Sequence, residues 1–212
     1  TWLLFLYAEP FGSSDPLLGR DIGFYVFTLP FLETLRNLGL ALVLLTLAGV
    51  IAAHGMAGNL GVNPVRGFFV ARVARVHISL LAAALFLLLA FAAWLGSSDL
   101  LTTPSSITHG ASYADVHARM PALALLLVAS LAAATLAAYQ MTVTSLWPIA
   151  AAVALYGVVS AGGIGYAGII QRFVVAPDEQ VRETPYIVHN MHATRAAFNL
   201  DRVAERELSG DA

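Results

Sequence analysis

Residues 147–199 decide how this chain is organised, because its apolar part ends within them. Residues 147–170 read WPIAAAVALYGVVSAGGIGYAGII and contain no charged residue. At about 1.5 Å per residue, a helix of this length crosses about 30 Å of hydrocarbon, so the stretch predicts a transmembrane helix. The chain then continues as QRFVVAPDEQVRETPYIVHNMHATRAAFN, a polar segment predicted to leave the membrane at Gln171 and Arg172.

The composition of the whole chain is typical of a membrane protein. Of its 212 residues, 58% are hydrophobic and 11% are charged, and the mean hydropathy is +0.76. A soluble domain carries about 25% charged residues, so a polytopic membrane protein is the class that fits. The net charge of −2 gives no electrostatic reason to expect nucleic acid as a partner. The chain contains no cysteine, which excludes disulfides and thiol catalysis within it.

The apolar segments predict an all-α fold, a polytopic transmembrane helix bundle with four full spans. Residues 1–30 are predicted to hold the end of a preceding apolar segment, part of a fifth helix, followed by an interfacial or re-entrant loop. Residues 31–170 form the predicted transmembrane domain, and residues 171–212 form a polar tail with a short helix capped by Thr184 and opened by Pro185. The predicted spans are residues 31–53, 76–95, 120–143 and 146–170.

Arginine placement predicts the orientation of the spans. The loop at residues 55–75 holds Arg66, Arg72 and Arg75 and no acidic residue, whereas the next loop, at residues 96–119, holds acids as well. The positive-inside rule therefore places the first loop in the cytoplasm. The second loop and the tail then lie outside it.

Two rows of small residues predict that the third and fourth spans pack together as an antiparallel hairpin. Small residues let helix backbones approach closely in a membrane, where no hydrophobic effect drives association. An alternative is that the glycines line a substrate path. The two rows are Ala129, Ala133 and Ala137 in one span and Gly157, Ala161 and Gly165 in the other.

Few residues suggest a catalytic, metal-binding or cofactor-binding site. No ionisable residue lies in the middle of a predicted span, which argues against a self-sufficient pump or secondary transporter. Ser112 and Asp115 fit a helix-capping pattern, although Asp115, His117 and His109 also suggest an external metal site. His54 and His77 are either axial ligands of a haem or chlorophyll or headgroup-level residues that bind nothing.

Catalytic signatures are missing from the chain. It contains no G-x-S-x-G, H-E-x-x-H, P-loop or dinucleotide glycine pattern. His189 and His192 lie three apart in the tail, where a solvated helix face is the favoured interpretation. We therefore assign no catalytic, cofactor-binding or metal-binding residue from the sequence, and whether the chain is an enzyme stays open.

Three stretches resemble one family. They are DPLLGRDIGFYVFTLPFLETL at residues 15–35, GASYADVHARMPAL at residues 110–123 and QRFVVAPDEQVRETPYIVHNMHATRAAFNLDRV at residues 171–203. Together they resemble the uncharacterised bacterial and cyanobacterial integral membrane family UPF0182. The matching positions taken as family-motif residues are Arg20, Asp21, Asp115, His117, Arg119, Arg172, Pro185, Tyr186, Asn190 and Arg195.

The resemblance implies that the chain corresponds to the later spans of a longer bacterial inner-membrane protein and to the start of its external domain. It implies no activity, because the family has none assigned. We expect a membrane-anchoring or scaffold module, or a structural subunit of a larger complex, whose partners are the lipid bilayer and other membrane-protein subunits. The alternatives are a channel or transport component and a haem- or chlorophyll-binding accessory subunit.

Overall fold

A computed structural model describes residues 1–63, 67–103 and 110–203 of the chain. Most of these residues are helical, and four of the helices among them are long and apolar enough to cross a membrane. The predicted all-α helical bundle is thereby confirmed. The helices are α1 (Trp2–Leu6), α2 (Leu29–Met56), α3 (Arg72–Thr102), α4 (Met120–Tyr139), α5 (Trp147–Ile170) and α6 (Glu179–Ala197), and the strands are β1 (Leu60–Asn63) and β2 (Gly67–Val70).

Proline marks the start of three of the long helices. Pro30, Pro121 and Pro148 lie in the first turns of α2, α4 and α5. The first N–H groups of a helix have no partner within it, so the N–H that Pro148 lacks costs nothing at the start of α5. Pro30 and Pro121 instead follow helical turns that continue into α2 and α4, so these two prolines lie inside longer helical segments.

The turn between α4 and α5 is held by one buried side chain. Gln140 is 2% exposed. Its amide nitrogen donates to the carbonyls of Val143 and Ser145 at 3.3 and 2.7 Å, and its amide oxygen accepts from the Ile149 N–H at 3.3 Å. Because every polar atom of the side chain is bonded, the turn is fixed without a charged residue.

Three π-helical turns join the long helices to the polar segments. They are Phe24–Thr28, Asp115–Arg119 and Gln171–Val175. The sequence prediction placed residues 24–30 in an interfacial loop. In the structure the first of these turns continues directly into α2, so residues 24–30 are helical instead. All three turns lie at the same end of the bundle, and such turns are frequent at functional sites.

The region between α2 and α3 also differs from the prediction. Residues 55–74 were expected to be a loop, but β1 and β2 form an antiparallel hairpin in which Leu60 pairs with Val70. Helix α3 is longer than its predicted span at both ends. At its C-terminal end, the hydroxyl of Ser97 donates to the Trp94 carbonyl at 2.8 Å, so this polar residue is accommodated inside the helix.

The start of the tail helix was predicted wrongly. Thr184 and Pro185 were expected at its first positions, yet both lie inside α6. The Thr184 hydroxyl donates to the Gln180 carbonyl instead of capping the helix. Proline leaves the carbonyl of Val181 without its helical N–H partner, and Val181 is exposed, so water can bond that carbonyl. The sequence of residues 201–208 also predicts one or two further helical turns, and most of these residues lie outside the described ones, which end at Val203.

Helix α3 is the centre of the bundle, with α2 on one side and α4 on the other, and α5 packs on α4. The core among these helices is built mainly of alanine around Phe86, which allows close approach of the backbones. Helices α2 and α5 are mostly exposed along their apolar lengths. The chain therefore leaves two long apolar faces open.

The two predicted packing rows lie in different environments. Ala129, Ala133 and Ala137 are buried against the neighbouring helices, with exposed fractions of 6%, 0% and 0%. The predicted row on α5 lies on an exposed face instead, and a Cβ added at Gly157 or Gly165 would meet no atom within 4 Å.

Helix α5 contacts its neighbours through other small residues. Ala152 and Ala167 are buried, and a Cβ at Gly163 would lie 3.0 Å from the Cβ of Ala122. Because α5 is apolar on every side, the spacing of its small residues did not indicate which row faces α4.

Candidate functional site

Polar segments and helix ends converge at one end of the bundle, where they line an open cavity of about 950 Å³. The end of α3, the start of α4 and the last turns of α5 form its walls, and α6 lies at its mouth. Its polar lining residues are Ser112, Asp115, Arg119, Ser160, Gln171, Glu179 and Glu183.

The wall contributed by α4 begins with a helix cap. The Asp115 carboxylate accepts from the Ser112 N–H at 2.9 Å and from the Ser112 hydroxyl at 2.8 Å, and the Asp115 N–H donates back to that hydroxyl at 3.3 Å. These reciprocal bonds confirm the predicted capping role. Asp115 also accepts from Arg119 at 2.8 Å, so its buried charge is paired. His109, the third member of the alternative metal site, lies outside the described residues.

Helix α6 is attached to this cap through Tyr113. The backbone N–H of Tyr113 donates to both carboxylate oxygens of Glu183, at 3.2 and 3.1 Å. The guanidinium of Arg182 donates to the Tyr113 hydroxyl at 3.3 Å and lies 5.3 Å from the centre of its ring. The N–H satisfied by Glu183 belongs to the first residue of the helical segment, where an acid also complements the helix dipole.

Aromatic contacts extend this attachment along α6. The rings of Tyr113 and His117 stack 4.1 Å apart, and the Tyr186 hydroxyl lies 3.3 Å from Nδ1 of His117. Asn190 lies against Gly110, where an added Cβ would come within 3.1 Å of the Asn190 amide oxygen. Gly110 has φ of +117°, a backbone conformation that L side chains rarely adopt, so glycine is strongly favoured there.

A second cluster ties the N-terminal loop to the end of α3. The guanidinium of Arg20 donates to the Ser98 hydroxyl at 2.9 Å and lies between the rings of Phe24 and Trp94, at 4.6 and 4.9 Å from their centres. Ser98 is fully buried, so its hydroxyl depends on this partner. The cluster combines an arginine–aromatic stack with a buried hydrogen bond.

Two aspartates shape the loop that carries Arg20. Asp21 accepts from the N–H groups of Phe11, Gly12 and Gly23, and these bonds, led by that of Phe11, hold the pKa of Asp21 below its ordinary value. Burial alone would raise the pKa of Asp15, but bonds from backbone N–H groups and from the Tyr25 hydroxyl lower it overall. Both groups are therefore hydrogen-bonded as carboxylates.

An ion pair links α2 to α3 near this loop. Arg36 lies 3.5 Å from the Asp99 carboxylate and 4.0 Å from that of Glu33. The second oxygen of Asp99 is buried and has no hydrogen-bond partner among the residues that the structure describes. Asp99 is within α3 because the helix continues past the predicted span.

The family-motif residues fall into groups. Asp115 and Arg119 line the cavity, and His117, Tyr186 and Asn190 form the contacts that attach α6 to the start of the α4 segment. Arg20 and Asp21 lie in the N-terminal loop. Elsewhere in the helical tail, Arg172 lies on an exposed face at 6.0 Å from the ring of Phe173, and Pro185 and Arg195 lie within α6.

Sequence reasoning missed Glu179 and Glu183, which the structure places at the cavity mouth. They lie four residues apart in one helix, a spacing that puts both on the same face and was visible in the sequence. It also missed Tyr113 and Ser98. For these two residues no local signal existed, because their partners are distant in the chain.

The two histidines considered as pigment ligands contact each other at the opposite end of the bundle. Nε2 of His54 and Nδ1 of His77 are 3.1 Å apart, and Nδ1 of His54 is 3.1 Å from the Asn59 amide. A macrocycle does not fit between rings that are hydrogen-bonded at this distance. In the described ranges 1–63, 67–103 and 110–203, no group of three or more His, Cys, Asp or Glu residues is placed to hold a metal ion.

Comparison with known proteins agrees with the resemblance seen in the sequence. The model of the uncharacterised protein family UPF0182 matches residues 1–212. Similar relatives include UPF0182 proteins of Frankia alni, at 40% identity over 96% of this chain and 20% of the relative, and of Geobacter sulfurreducens, at 35% identity over 95% and 22%. A third, from Sulfurovum sp., is 32% identical over 99% of this chain and 23% of the relative.

The chain spans about a fifth of the length of these curated relatives. No solved structure matches it. With the family model matching from the first residue to the last, the chain belongs to the uncharacterised protein family UPF0182.

Proposed function

We propose that this chain is a membrane-anchoring scaffold module. Its four long helices would cross the bacterial plasma membrane and hold the polar segment after Gln171 in one orientation on the side away from the cytoplasm. The observation that carries this proposal is the bifurcated hydrogen bond from the Tyr113 N–H to Glu183, which attaches α6 to the helical segment that leads into α4. A helix held in this way fixes the direction of whatever follows it.

Two further features support a structural role. The apolar faces of α2 and α5 are open along most of their length, which suits packing by further helices or subunits. The exposed row at Gly157, Ala161 and Gly165 lies on one of these faces. The alternative of a channel depended on this row lining a substrate path. The row lies on an exposed face of α5, so its position does not favour a channel.

The orientation is supported by arginines at one end of the bundle. Arg72 and Arg75 lie at the start of α3, beside the β-hairpin and opposite the cavity. Cysteine labelling tests it directly, because this segment contains no cysteine of its own. A membrane-impermeant maleimide applied to whole cells should label Ser13→Cys, near the cavity end, and leave Met56→Cys unlabelled. The reverse pattern would invert the proposed orientation.

Native purification tests the scaffold role. The full-length protein would be purified in mild detergent from native membranes and its companions identified by mass spectrometry. Defined subunits should accompany the wild type and Glu183→Gln, which keeps a hydrogen-bond acceptor, and should be depleted from Glu183→Ala. A full-length protein that runs alone and loses no stability would contradict the proposal.

A further inference from the structure

The cavity between α3, α4 and α5 changes from polar to apolar along the helix axes. On α4 the lining runs from Asp115 and Arg119 to Leu126, and on α5 from Gln171 to Val159. At 1.5 Å per residue, each path is about 16–18 Å long. The polar mouth and the apolar interior together have this length, which matches a polar headgroup followed by the first part of an acyl chain.

The space is large enough for such a ligand. Ligand pockets have volumes of about 300–1,000 Å³, and this one is about 950 Å³. Its inner part is lined by the apolar residues Leu123, Leu126, Val159 and Ile164 and by one polar residue, Ser160. A Cβ added at Gly168 would meet no atom within 4 Å, so the space next to α5 is open.

The charges at the mouth identify the kind of headgroup. Three carboxylates face one guanidinium there, an excess of acid that disfavours a purely anionic ligand. The Asp115 carboxylate is hydrogen-bonded to Ser112, and that of Glu183 to the Tyr113 N–H. Glu179 is exposed, and within the part of the chain that the structure describes it makes no hydrogen bond or ion pair. It is available to accept from an ammonium group.

Arg119 supplies the complementary charge. One of its five N–H donors is used on Asp115, and its side chain is 58% exposed. The remaining donors suit a phosphate oxygen. The mouth thus presents a donor set for a phosphodiester and an acceptor for an amine, with an apolar channel behind them.

We propose that this cavity binds a membrane phospholipid whose headgroup carries a primary amine, with the phosphate on Arg119, the amine on Glu179 and an acyl chain between α4 and α5. The inference depends on insertion in a membrane, as proposed above, and is independent of the scaffold role. Bound lipid and companion proteins can be measured in the same preparation, so failure of one is separable from failure of the other.

Two glycines of α5 provide a matched test. Gly168 lines the cavity, whereas Gly165 does not, and a Cβ at either position meets no atom within 4 Å. Both Gly168→Leu and Gly165→Leu replace a poor helix former by a good one, so both should fold. The full-length protein would be reconstituted with phosphatidylethanolamine and phosphatidylglycerol in equal amounts, re-extracted in mild detergent and analysed by native mass spectrometry.

The wild type and Gly165→Leu should retain phosphatidylethanolamine, and Gly168→Leu should lose most of it. Equal retention by all three proteins would show a non-specific lipid shell and overturn the proposal. Retention of phosphatidylglycerol in preference would overturn the assignment of the headgroup. If the wild-type protein retains no lipid, for example because other parts of the full-length protein fill the cavity, the proposed lipid site is wrong.

A second variant, Glu179→Gln, tests the proposal if Gly168→Leu fails to fold. Glu179 is at the surface, so Glu179→Gln should leave folding intact. It should reduce the preference for phosphatidylethanolamine over phosphatidylglycerol by roughly threefold, the size expected for an exposed ion pair. An unchanged preference would overturn the role of the carboxylate and with it the proposal.

Discussion

Both carboxylate oxygens of Glu183 accept one bifurcated hydrogen bond from the backbone N–H of Tyr113, a residue 70 positions earlier in the chain. This contact joins the helix that leaves the bundle to the helix that enters it at the same end. Arg182, beside Glu183, reinforces it by contacting the ring and hydroxyl of Tyr113. The orientation of α6 therefore depends on a small number of polar side chains.

Removal of that carboxylate should loosen α6. We expect Glu183→Ala to weaken the attachment by about 1–2 kcal/mol, because the Tyr113 N–H loses a charged acceptor. Spin labels on cysteines introduced at Leu131 in α4 and Met191 in α6 would measure it as a broadened distance distribution. Glu183→Gln is the control and should keep a narrow distribution. Equal distributions in all three proteins would show that α6 is held by other contacts.

The stack around Arg20 should be sensitive to a conservative change. Arg20→Lys keeps the charge but loses the planar group that lies between Phe24 and Trp94 and reaches Ser98. We expect a loss of about 1–3 kcal/mol in unfolding free energy, measured by reversible denaturation in mixed detergent micelles. Arg72→Lys, at an exposed position, is the matched control and should change stability by less than about 0.5 kcal/mol.

The N-terminal loop should open in acid. The pKa values of Asp15 and Asp21 are lowered in the folded protein, so their contribution is fully present above the unfolded value of about 3.9 and is lost as the pH falls through the lower folded values. Hydrogen-exchange protection of the Phe11 and Gly12 amides, corrected for intrinsic rates, should therefore fall below about pH 4. In Asp21→Asn this protection should be lower at neutral pH and vary little with acid. A wild-type profile that stays flat to pH 2 would contradict the prediction.

Helix α5 should tolerate bulk at one glycine and reject it at another. Gly163→Ile forces a side chain against Ala122, which already lies 3.0 Å from the position of the added Cβ. We expect a loss of about 1–3 kcal/mol from overpacking, measured as in the arginine experiment. An added Cβ at Gly157 meets no atom within 4 Å, so Gly157→Ile should be neutral or stabilising. If Gly157→Ile destabilises the isolated chain as strongly, the packing face of α5 is not the one described here.

Each prediction of a helix rested on local sequence. A run of about 20 apolar residues is sufficient to predict a helix, because a membrane leaves the backbone no other partners. Helix α5 accordingly begins and ends within a residue of its predicted span. The cap at Ser112 and Asp115 was also predictable, since its hydrogen bonds connect residues three apart. The β-hairpin and the extension of α3 were not predicted, because the residues there carry weak and mixed signals.

The sequence by itself determined that the chain forms long apolar helices and that polar segments lie between them, since both follow from local hydropathy. Only the tertiary structure decided which row of α5 packs, because an apolar helix has no polar face to set its rotation. Only the tertiary structure brought Glu183 to Tyr113, and Arg20 to Ser98, since a polar side chain does not specify a partner 70 or more residues away. The cavity mouth exists because those distant pairs form, and so its chemistry appeared only when the helices were packed.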